Sequence, residues 1–537
     1  MSTARTTTAP TQHHPLRTDA ASRPDSRPGA ARPRPGALRA ALPRLTAAWP
    51  LTWLLGGYPI WWALGLGVLI FPLLALPMAV ALLRRPPRRL PPELLLWFGF
   101  LATAVVGIAA LGIDPVGTIA GDPVGRLPGV AFRLVEYGSL TVLLLYALSR
   151  SERELPQRRL VALLAWLFVL TVAGGLLGTF AGHLQFTSPV ELLLPAHLRH
   201  NNFVASLVHP AAAQLMDVLG YQAPRPAAPW GYTNTWGNNL ALSIGWFVVA
   251  AFALRGRRGD APDATHRATG TGRRLAAFAV LVVAVVPVVT SLNRGLWIDL
   301  ALLAGYLTLR LALRGRLLAL GAAVAGAAVL GVLLLATPLG GVVHGRLENG
   351  KSNNVRMFVT EKAVDGVVAS PLIGLGSTRN TQGSDQSIAV GGTPDCQRCG
   401  GHTIGGNGQL WQVLYLHGGL GTLLYLGFFG AILWRHRRDA SPIGLAGSGA
   451  IVVSLASMFY YNALVTPLAF TFLSYALLWR NAGARALPGH GLGDPDERDR
   501  RCPPDSDRRH RRRHPERRRP AGTPSPGPHP NPVEEPA

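Results

Sequence analysis

The chain has 537 residues, of which 48% are apolar and only 15% are charged, and its formal net charge is +24. About a quarter of the residues in a typical soluble protein are charged, so this composition excludes an ordinary soluble protein. The excess of arginine would suit a nucleic-acid-binding protein, but the arginines lie in two tails and in short loops between apolar runs. We therefore expect a lipid bilayer, and no nucleic acid, as a partner.

The two ends of the chain are poor in apolar residues and rich in Pro, Arg, Gly and Asp. Segments of this composition bury too little apolar surface to offset the entropy of ordering. We predict disordered tails over residues 1–46 and 481–537, which flank a membrane domain over residues 47–480.

The membrane domain consists mainly of apolar runs, and a helix that crosses a bilayer needs about 20 such residues. The first run, over residues 47–83, is interrupted by Gly56, Gly57 and Pro59, which predicts two short helices. The other predicted spans lie near residues 93–111, 129–149, 160–180, 237–254, 274–291, 296–313, 317–337, 410–434, 443–460 and 462–479. The sequence thus predicts an all-α polytopic bundle of about twelve transmembrane helices.

Basic clusters set the predicted orientation, because cytoplasmic loops are the ones enriched in Lys and Arg. Such clusters lie at residues 84–89, 149–159, 255–274, 314–316 and 435–438. They alternate with less basic loops, and both tails fall on the side of the clusters. We expect a multi-pass protein of the cytoplasmic membrane with both termini in the cytoplasm. Two large extracytoplasmic loops then cover about residues 181–236 and 338–409.

Arg294 lies inside an apolar stretch, at a predicted hairpin between two spans at the outer interface. Its neighbours Asn293 and Gly295 are typical of a tight turn. An arginine in this position either snorkels to lipid phosphates or binds a substrate. Asp299, further along the second span, either pairs with a basic group or is a satisfied polar residue of the helix.

Four segments together resemble the O-antigen ligase and O-antigen polymerase family. They are PRPAAPWGYTNTWGNNLALSI (224–244), SLNRGLWIDLAL (291–302), NNVRMFVTEKAVDGVVASPLIGLGSTR (353–379) and GGNGQLWQVLYLHGGLGTLLYLGFF (405–429). They follow the family's order, and the resemblance covers roughly residues 160–480. It implies a membrane glycosyltransferase that acts outside the cytoplasm. The donor would be a glycan on a polyprenyl pyrophosphate, and the acceptor a glycan or glycolipid.

The resemblance also implies roles for particular residues. Arg225, Arg294 and Arg356 would bind and activate the pyrophosphate without a metal or other cofactor, Arg294 and Arg356 as catalytic residues. Asn239 and Asn407 would bind substrate. Arginine suits this task because its planar fork binds phosphate oxygens bidentately and stays charged.

The general base departs from the family pattern. Family ligases have a histidine directly before the asparagine of the returning segment, whereas Gly406 precedes Asn407 here. His402 is the nearest substitute, and the other interpretation is that it is an exposed loop residue. His417, inside the following span, is expected to pack or form a hydrogen bond there.

Two further pairs of residues invite interpretation. Cys396 and Cys399 form a Cys-x-x-Cys in the second outer loop. We expect a disulfide, since extracytoplasmic compartments are oxidising, with a redox role as the alternative. Arg133 and Glu136 lie three residues apart and are predicted to pair on one helical face.

Two other classes of function compete with the glycan transferase. A transporter or flippase of lipid-linked glycans would place charged or broken sites near the bilayer midplane, whereas the unusual polar residues here gather at the outer face. A non-catalytic membrane scaffold would leave the three arginines unexplained.

The orientation is testable with reporter fusions that report the side of the membrane. Fusions at residue 265 and at both tails are expected inside the cell, and fusions at residues 215 and 385 outside, because basic loops stay in the cytoplasm. A fusion that reports residue 385 in the cytoplasm would contradict both the orientation and an outer-face site.

Overall fold

The computed structural model describes residues 48–87, 89–199, 202–217, 222–254, 264–316, 318, 320–321, 325–326, 341, 351–380, 403–406 and 408–486. The predicted tails lie outside these ranges, apart from residues 481–486. Four predicted site residues also lie outside them, namely Cys396, Cys399, His402 and Asn407. The predictions for these residues stay predictions.

The first apolar run forms three helices where two were expected: α1 (Trp49–Gly56), α2 (Tyr58–Leu64) and α3 (Ile70–Arg84). The additional break is at Gly65, which ends α2 in the left-handed conformation with a φ of 80°. Glycine adopts this conformation without the steric cost that other residues meet.

Three longer elements complete the first half of the membrane domain. They are α4 (Leu94–Val106), which a 3₁₀ turn extends through Ala110, α5 (Pro123–Ser149) and α6 (Gln157–Phe180). Asp122 caps α5, since its carboxylate accepts hydrogen bonds from the Val124 and Gly125 amides.

The first predicted outer loop is folded rather than extended. It contains the short helices α7 (Pro189–Leu193), α8 (Ala196–Arg199) and α9 (Asn202–Val208), and the strands β1 (Ala213–Asp217) and β2 (Gln222–Pro226). The two strands form an antiparallel hairpin in which Gln214 lies opposite Arg225.

The second half returns to long helices. They are α10 (Thr233–Val248), which a π-helical turn extends through Ala253, α11 (Ala264–Thr290), α12 (Arg294–Ala312), α13 (Lys351–Val367), α14 (Gln409–His436), α15 (Pro442–Ser457) and α16 (Thr466–Ala486). Strands β3 (Arg379–Asn380) and β4 (Thr403–Ile404) form a second antiparallel pair. Because α16 continues to Ala486, the ordered domain extends beyond the predicted boundary at residue 480.

Six helices are long and apolar enough to cross a membrane: Pro123–Ser149, Gln157–Phe180, Thr233–Ala253, Thr271–Thr290, Arg294–Ala312 and Gln409–His436. Three shorter apolar helices, Ile70–Arg84, Leu94–Ala110 and Pro442–Ser457, accompany them in the described part of the chain. The mostly helical fold is consistent with an all-α membrane protein, but not with the predicted number of about twelve spans. Turns divide several apolar runs into pieces shorter than a bilayer, and most of the predicted span 317–337 is not described.

Aromatic side chains join four of the helices at the centre of the bundle. Trp97 of α4 is fully buried and donates a hydrogen bond of 2.9 Å to Thr141 Oγ1 on α5. Its indole packs against the rings of Phe100, Tyr137, Tyr425, Phe428 and Phe472. Helix α10 is also central, since 67% of its most apolar stretch of residues is buried. The corresponding stretches of α11 and α12 are only 22% buried.

Ion pairs bring together the helix ends that flank three of the basic loops. The pairs are Glu154–Arg85, Glu93–Arg435, Glu152–Arg480 and Asp439–Arg485. One side chain of each pair is at least 43% exposed, while its partner is at most 25% exposed. The pairs show that these loops lie at one end of the bundle.

A glycine-rich segment before β3 crosses a break in helix α14. Gly418 has a φ of 65° and interrupts the helix, and the freed backbone groups bond to residues 371–376. The Leu375 and Gly376 amides donate to the Tyr415 and Leu416 carbonyls, at 3.0 and 2.9 Å. The Pro-x-x-Gly-x-Gly pattern over residues 371–376 therefore has a structural role in pairing with α14.

The fold predicts that Gly374→Ala strongly lowers the stability of the protein. Gly374 has a φ of 70°, and a Cβ there would lie 2.5 Å from the His417 and Gly418 amide nitrogens. The left-handed backbone alone costs an alanine about 1–2 kcal/mol, so the melting temperature of the purified protein in detergent should fall by several degrees. Gly129→Ala in α5 is the control, because a Cβ there meets nothing within 4 Å. Equal melting temperatures for the two variants would contradict the crossing.

Candidate functional site

The turn between α11 and α12 carries Arg294, as the sequence predicts. Arg294 is the first residue of α12, directly after Asn293. Asn293 is buried and donates a hydrogen bond of 3.1 Å from Nδ2 to the Thr233 carbonyl at the start of α10. Its Oδ1 accepts a hydrogen bond from the Tyr461 hydroxyl. Asn293 therefore fixes the turn to two other elements, which orients Arg294.

Gly295 and Asp299 hold the first turns of α12 against the segment between α15 and α16. A Cβ at Gly295 would lie 2.5 Å from the Tyr461 hydroxyl, which explains the glycine after Arg294. Asp299 is fully buried and accepts a hydrogen bond of 2.5 Å from the Tyr460 hydroxyl. Neither interpretation of Asp299 holds in full: its hydrogen-bond partner is a tyrosine rather than a basic group, and its Oδ2 is buried without a hydrogen-bond partner among the described residues. Burial and the neighbouring Asp299 carboxylate raise the pKa of Tyr460, so its hydroxyl stays protonated as the donor.

Arg225 lies in β2 and is almost fully buried. Its Nε donates to the Ser291 carbonyl at 2.7 Å, and its Nη1 lies 3.3 Å from the Met216 sulfur. The guanidinium therefore connects the β1–β2 hairpin to the same turn that carries Arg294. These contacts give Arg225 a positioning role in addition to its predicted role in substrate binding.

Arg294 and Arg356 come from two different helices, α12 and α13. Both side chains are partly exposed. Arg356 lines one cavity together with Tyr460 and Tyr461. Arg225 bonds to Ser291 in the turn before Arg294, and Asn293 in the same turn bonds to Tyr461. The three predicted arginines are therefore all linked to this pair of tyrosines.

A cavity of about 490 Å³ opens beside this cluster. Arg356 lines it, together with Tyr460, Tyr461 and Asn462, whereas Arg225 and Arg294 lie outside its lining. The lining also includes the loop residues Ser206–Pro210, the aromatic residues Tyr58, Trp62, Trp230 and Tyr232, and Asn234 and Thr235 at the start of α10. The cavity therefore combines the Arg356 guanidinium and the His209 imidazole with aromatic rings and with amide and hydroxyl groups.

The predicted substrate residue Asn239 is buried within the bundle and does not line the cavity. Its Nδ2 donates to Thr466 Oγ1 on α16 at 2.7 Å. Asn234, five residues earlier in the same Asn-rich segment, lines the cavity instead. The segment thus reaches the site through a different asparagine from the one that the resemblance implied.

The returning segment reaches the cavity on either side of position 407. Gly406 and Gly408 both line it. Asn462 binds both glycines: its Nδ2 donates to the Gly406 carbonyl at 2.6 Å, and its Oδ1 accepts from the Gly408 amide at 3.0 Å. The amide of Gln409 also donates to the Tyr461 carbonyl. The segment Tyr460–Asn462 therefore joins α12 to the start of α14.

Sequence reasoning missed the hydrogen-bonded pair of His209 and Glu191. His209 lines the cavity, and its Nδ1 lies 2.8 Å from Glu191 Oε2. Tyr460, Tyr461 and Asn462 were also not predicted as site residues: Tyr460 and Asn462 are the end residues of two predicted spans, and Tyr461 lies between them. Three consecutive polar side chains between two apolar runs were the available signal.

The predicted pair of Arg133 and Glu136 does not form. Arg133 Nη1 donates instead to the Gly376 carbonyl at 3.4 Å. Glu136 is fully buried, and within the described part of the chain neither of its carboxylate oxygens has a hydrogen-bond partner. Arg133 bonds instead to the segment 371–376 that pairs with α14.

His417 was expected either to pack or to form a hydrogen bond within its helix. It packs edge-on against Phe100.

Comparisons of the chain with protein-family models, with curated proteins and with solved structures found no match.

Proposed function

We propose that the protein is a membrane glycosyltransferase that transfers or polymerises a glycan from a polyprenyl-pyrophosphate donor during cell-envelope polysaccharide synthesis. The observation that carries the proposal is that Arg356 lines a cavity together with Tyr461, which also bonds to the turn that presents Arg294. Arginine binds phosphate oxygens bidentately and stays charged, so the two guanidinium groups suit an anion with two phosphates. The resemblance of four segments to O-antigen ligases and polymerases points to the same chemistry.

The proposed reaction places negative charge where these arginines lie. As the bond between the anomeric carbon and the pyrophosphate breaks, charge grows on the departing oxygen. Cations that are already in position stabilise this charge without reorganisation, and such electrostatic stabilisation is often the largest contribution to catalysis. Arg225 and Asn293 hold the turn that presents Arg294, so they supply this preorganisation.

The remaining cavity lining suits a glycan. Sites for small molecules combine apolar and aromatic walls with a few polar groups that fix orientation. Here Tyr58, Trp62, Trp230 and Tyr232 provide rings, and Asn234 provides an amide. The volume of about 490 Å³ lies within the range of about 300–1,000 Å³ that is common for ligand pockets.

The proposed location is the extracytoplasmic side of the cytoplasmic membrane, with both termini inside. The ion pairs of the basic loops lie at one end of α14 and α16, and the cavity contacts the opposite ends of these helices through Gly408 and Thr466. Since basic loops remain in the cytoplasm, the cavity would face outwards.

A transporter or flippase of lipid-linked glycans is the second candidate, and Glu136 favours it. This carboxyl group is fully buried in a helix long enough to span the membrane. Ionisable residues within spans often mark transport pathways. Glycan transfer by protein in detergent separates the two functions, because a flippase has no activity without two membrane sides.

Arginine substitutions test the proposed reaction. Arg294→Lys and Arg356→Lys should each reduce turnover about 10²–10³-fold, because lysine keeps the charge but lacks the bidentate fork. The measurement is glycan transfer by purified protein on a polyprenyl-pyrophosphate-linked oligosaccharide. Arg437→Lys, at the opposite end of the bundle, serves as the matched control and should leave turnover unchanged.

The alternative role of Arg294 gives a different result. A residue that only anchors the helix at the interface would tolerate lysine, which also snorkels. Near-normal turnover by Arg294→Lys, with folding matched to the wild type, would contradict a catalytic role for this arginine.

A further inference from the structure

We infer that His209 is the general base that deprotonates the acceptor hydroxyl, and that Glu191 positions it. This inference rests on the proposed function. It assigns the base to the first outer loop rather than to the returning segment, where Gly406 stands in place of the family's histidine.

First, the contact with Glu191 determines which nitrogen of the His209 ring carries the proton. Glu191 Oε2 lies 2.8 Å from His209 Nδ1, and an ionised carboxylate only accepts hydrogen bonds. In the neutral ring Nδ1 therefore carries the proton, and Nε2 keeps its lone pair as the acceptor. A base whose other nitrogen is held by a carboxylate is the arrangement found in catalytic triads.

The second step is access. The His209 side chain is 31% exposed, whereas that of Glu191 is only 12% exposed. His209 lines the same cavity as Arg356. A base and a cation thus share one cavity, as the transfer requires: Arg356 would contact the leaving pyrophosphate, and His209 would contact the incoming hydroxyl.

The third step is rigidity. Ser188 and Glu191 form a reciprocal capping box at the start of α7, in which the Glu191 amide donates to Ser188 Oγ and the Ser188 amide to Glu191 Oε2. The Ser188 hydroxyl also donates to the Val208 carbonyl at 2.7 Å, directly before His209. A Cβ at Gly65 would meet the Val208 carbonyl at 2.5 Å, so the end of α2 packs tightly against this bond. The bonds of Ser188 therefore hold both Glu191 and the chain directly before His209 in place.

The proposed transfer moves one proton, forms one bond and breaks another. Nε2 of His209 takes the proton of the acceptor hydroxyl, and the acceptor oxygen forms a bond to the anomeric carbon of the donor glycan. The bond from that carbon to the pyrophosphate oxygen breaks, and its electron pair leaves with the polyprenyl pyrophosphate. No oxidant, reductant or further reactant is needed.

The test compares full-length variants in the glycan-transfer assay. A general base typically contributes about 10²–10⁴-fold, so His209→Ala should lose at least about 10²-fold in kcat with little change in the KM for the donor. Added imidazole should restore part of this activity, because it fits the space that the ring leaves. Glu191→Gln should lose less than His209→Ala, since it keeps an acceptor for Nδ1–H but loses the charge.

Controls separate catalysis from folding. His183→Ala removes an exposed histidine of the same loop and should leave kcat unchanged. His209→Gln keeps a donor for Glu191, so it should retain the wild-type melting temperature while losing kcat as His209→Ala does, without imidazole rescue.

The outcomes distinguish this inference from the proposed function. Wild-type kcat in His209→Gln, together with loss of transfer in Arg356→Ala, would overturn the assignment of the base and leave the proposed function intact. A loss in His209→Ala that imidazole does not restore would overturn it in the same way. Absence of transfer by the wild type itself would overturn the proposed function.

Discussion

The two hydrogen bonds of the Asn293 side chain are the contact on which the geometry of the candidate site depends. They join the α11–α12 turn to the start of α10 and to Tyr461. Inside a membrane protein there is little water to replace a lost partner, so a buried amide that is bonded on both sides holds its neighbours in one arrangement. Arg294 follows directly in the chain and inherits that arrangement. A Cβ at Gly237 would lie 2.6 Å from Asn293 Nδ2, so α10 is shaped around the same side chain.

Burial divides the polar residues of the site into two groups. Arg225, Asn293 and Asp299 are almost fully buried and bond mainly within the protein. Arg294, Arg356 and His209 are partly exposed. The buried group determines where the exposed group lies, and only the exposed group is available to a ligand. This division follows from the cost of leaving buried polar groups without partners.

Local features were predictable from the sequence, whereas pairings between distant segments were not. The helical fold, the turn at Asn293–Gly295 and the grouping of the basic loops follow from hydropathy, turn chemistry and charge placement. Apolar runs do not show where a helix ends early, as α2 does at Gly65 and α15 at Ser457. The Ser188-x-x-Glu191 spacing is a capping-box signature that the sequence shows. The His209–Glu191 pair escaped prediction because the sequence does not show that His209 folds back onto Glu191.

The low burial of α11 and α12 has a consequence for how the proposed lipid-linked donor would arrive. Only 22% of the apolar stretch of each helix is buried, yet the turn between them presents Arg294. Moving a hydrocarbon chain out of lipid costs about 0.8 kcal/mol per CH₂ group, which is prohibitive for a polyprenyl tail. Along this flank the tail would stay dissolved in the bilayer while only the head group slides sideways to the arginines. The proposed donor would then enter laterally, from within the membrane. The proposed acceptor would enter separately, through the aqueous opening of the cavity.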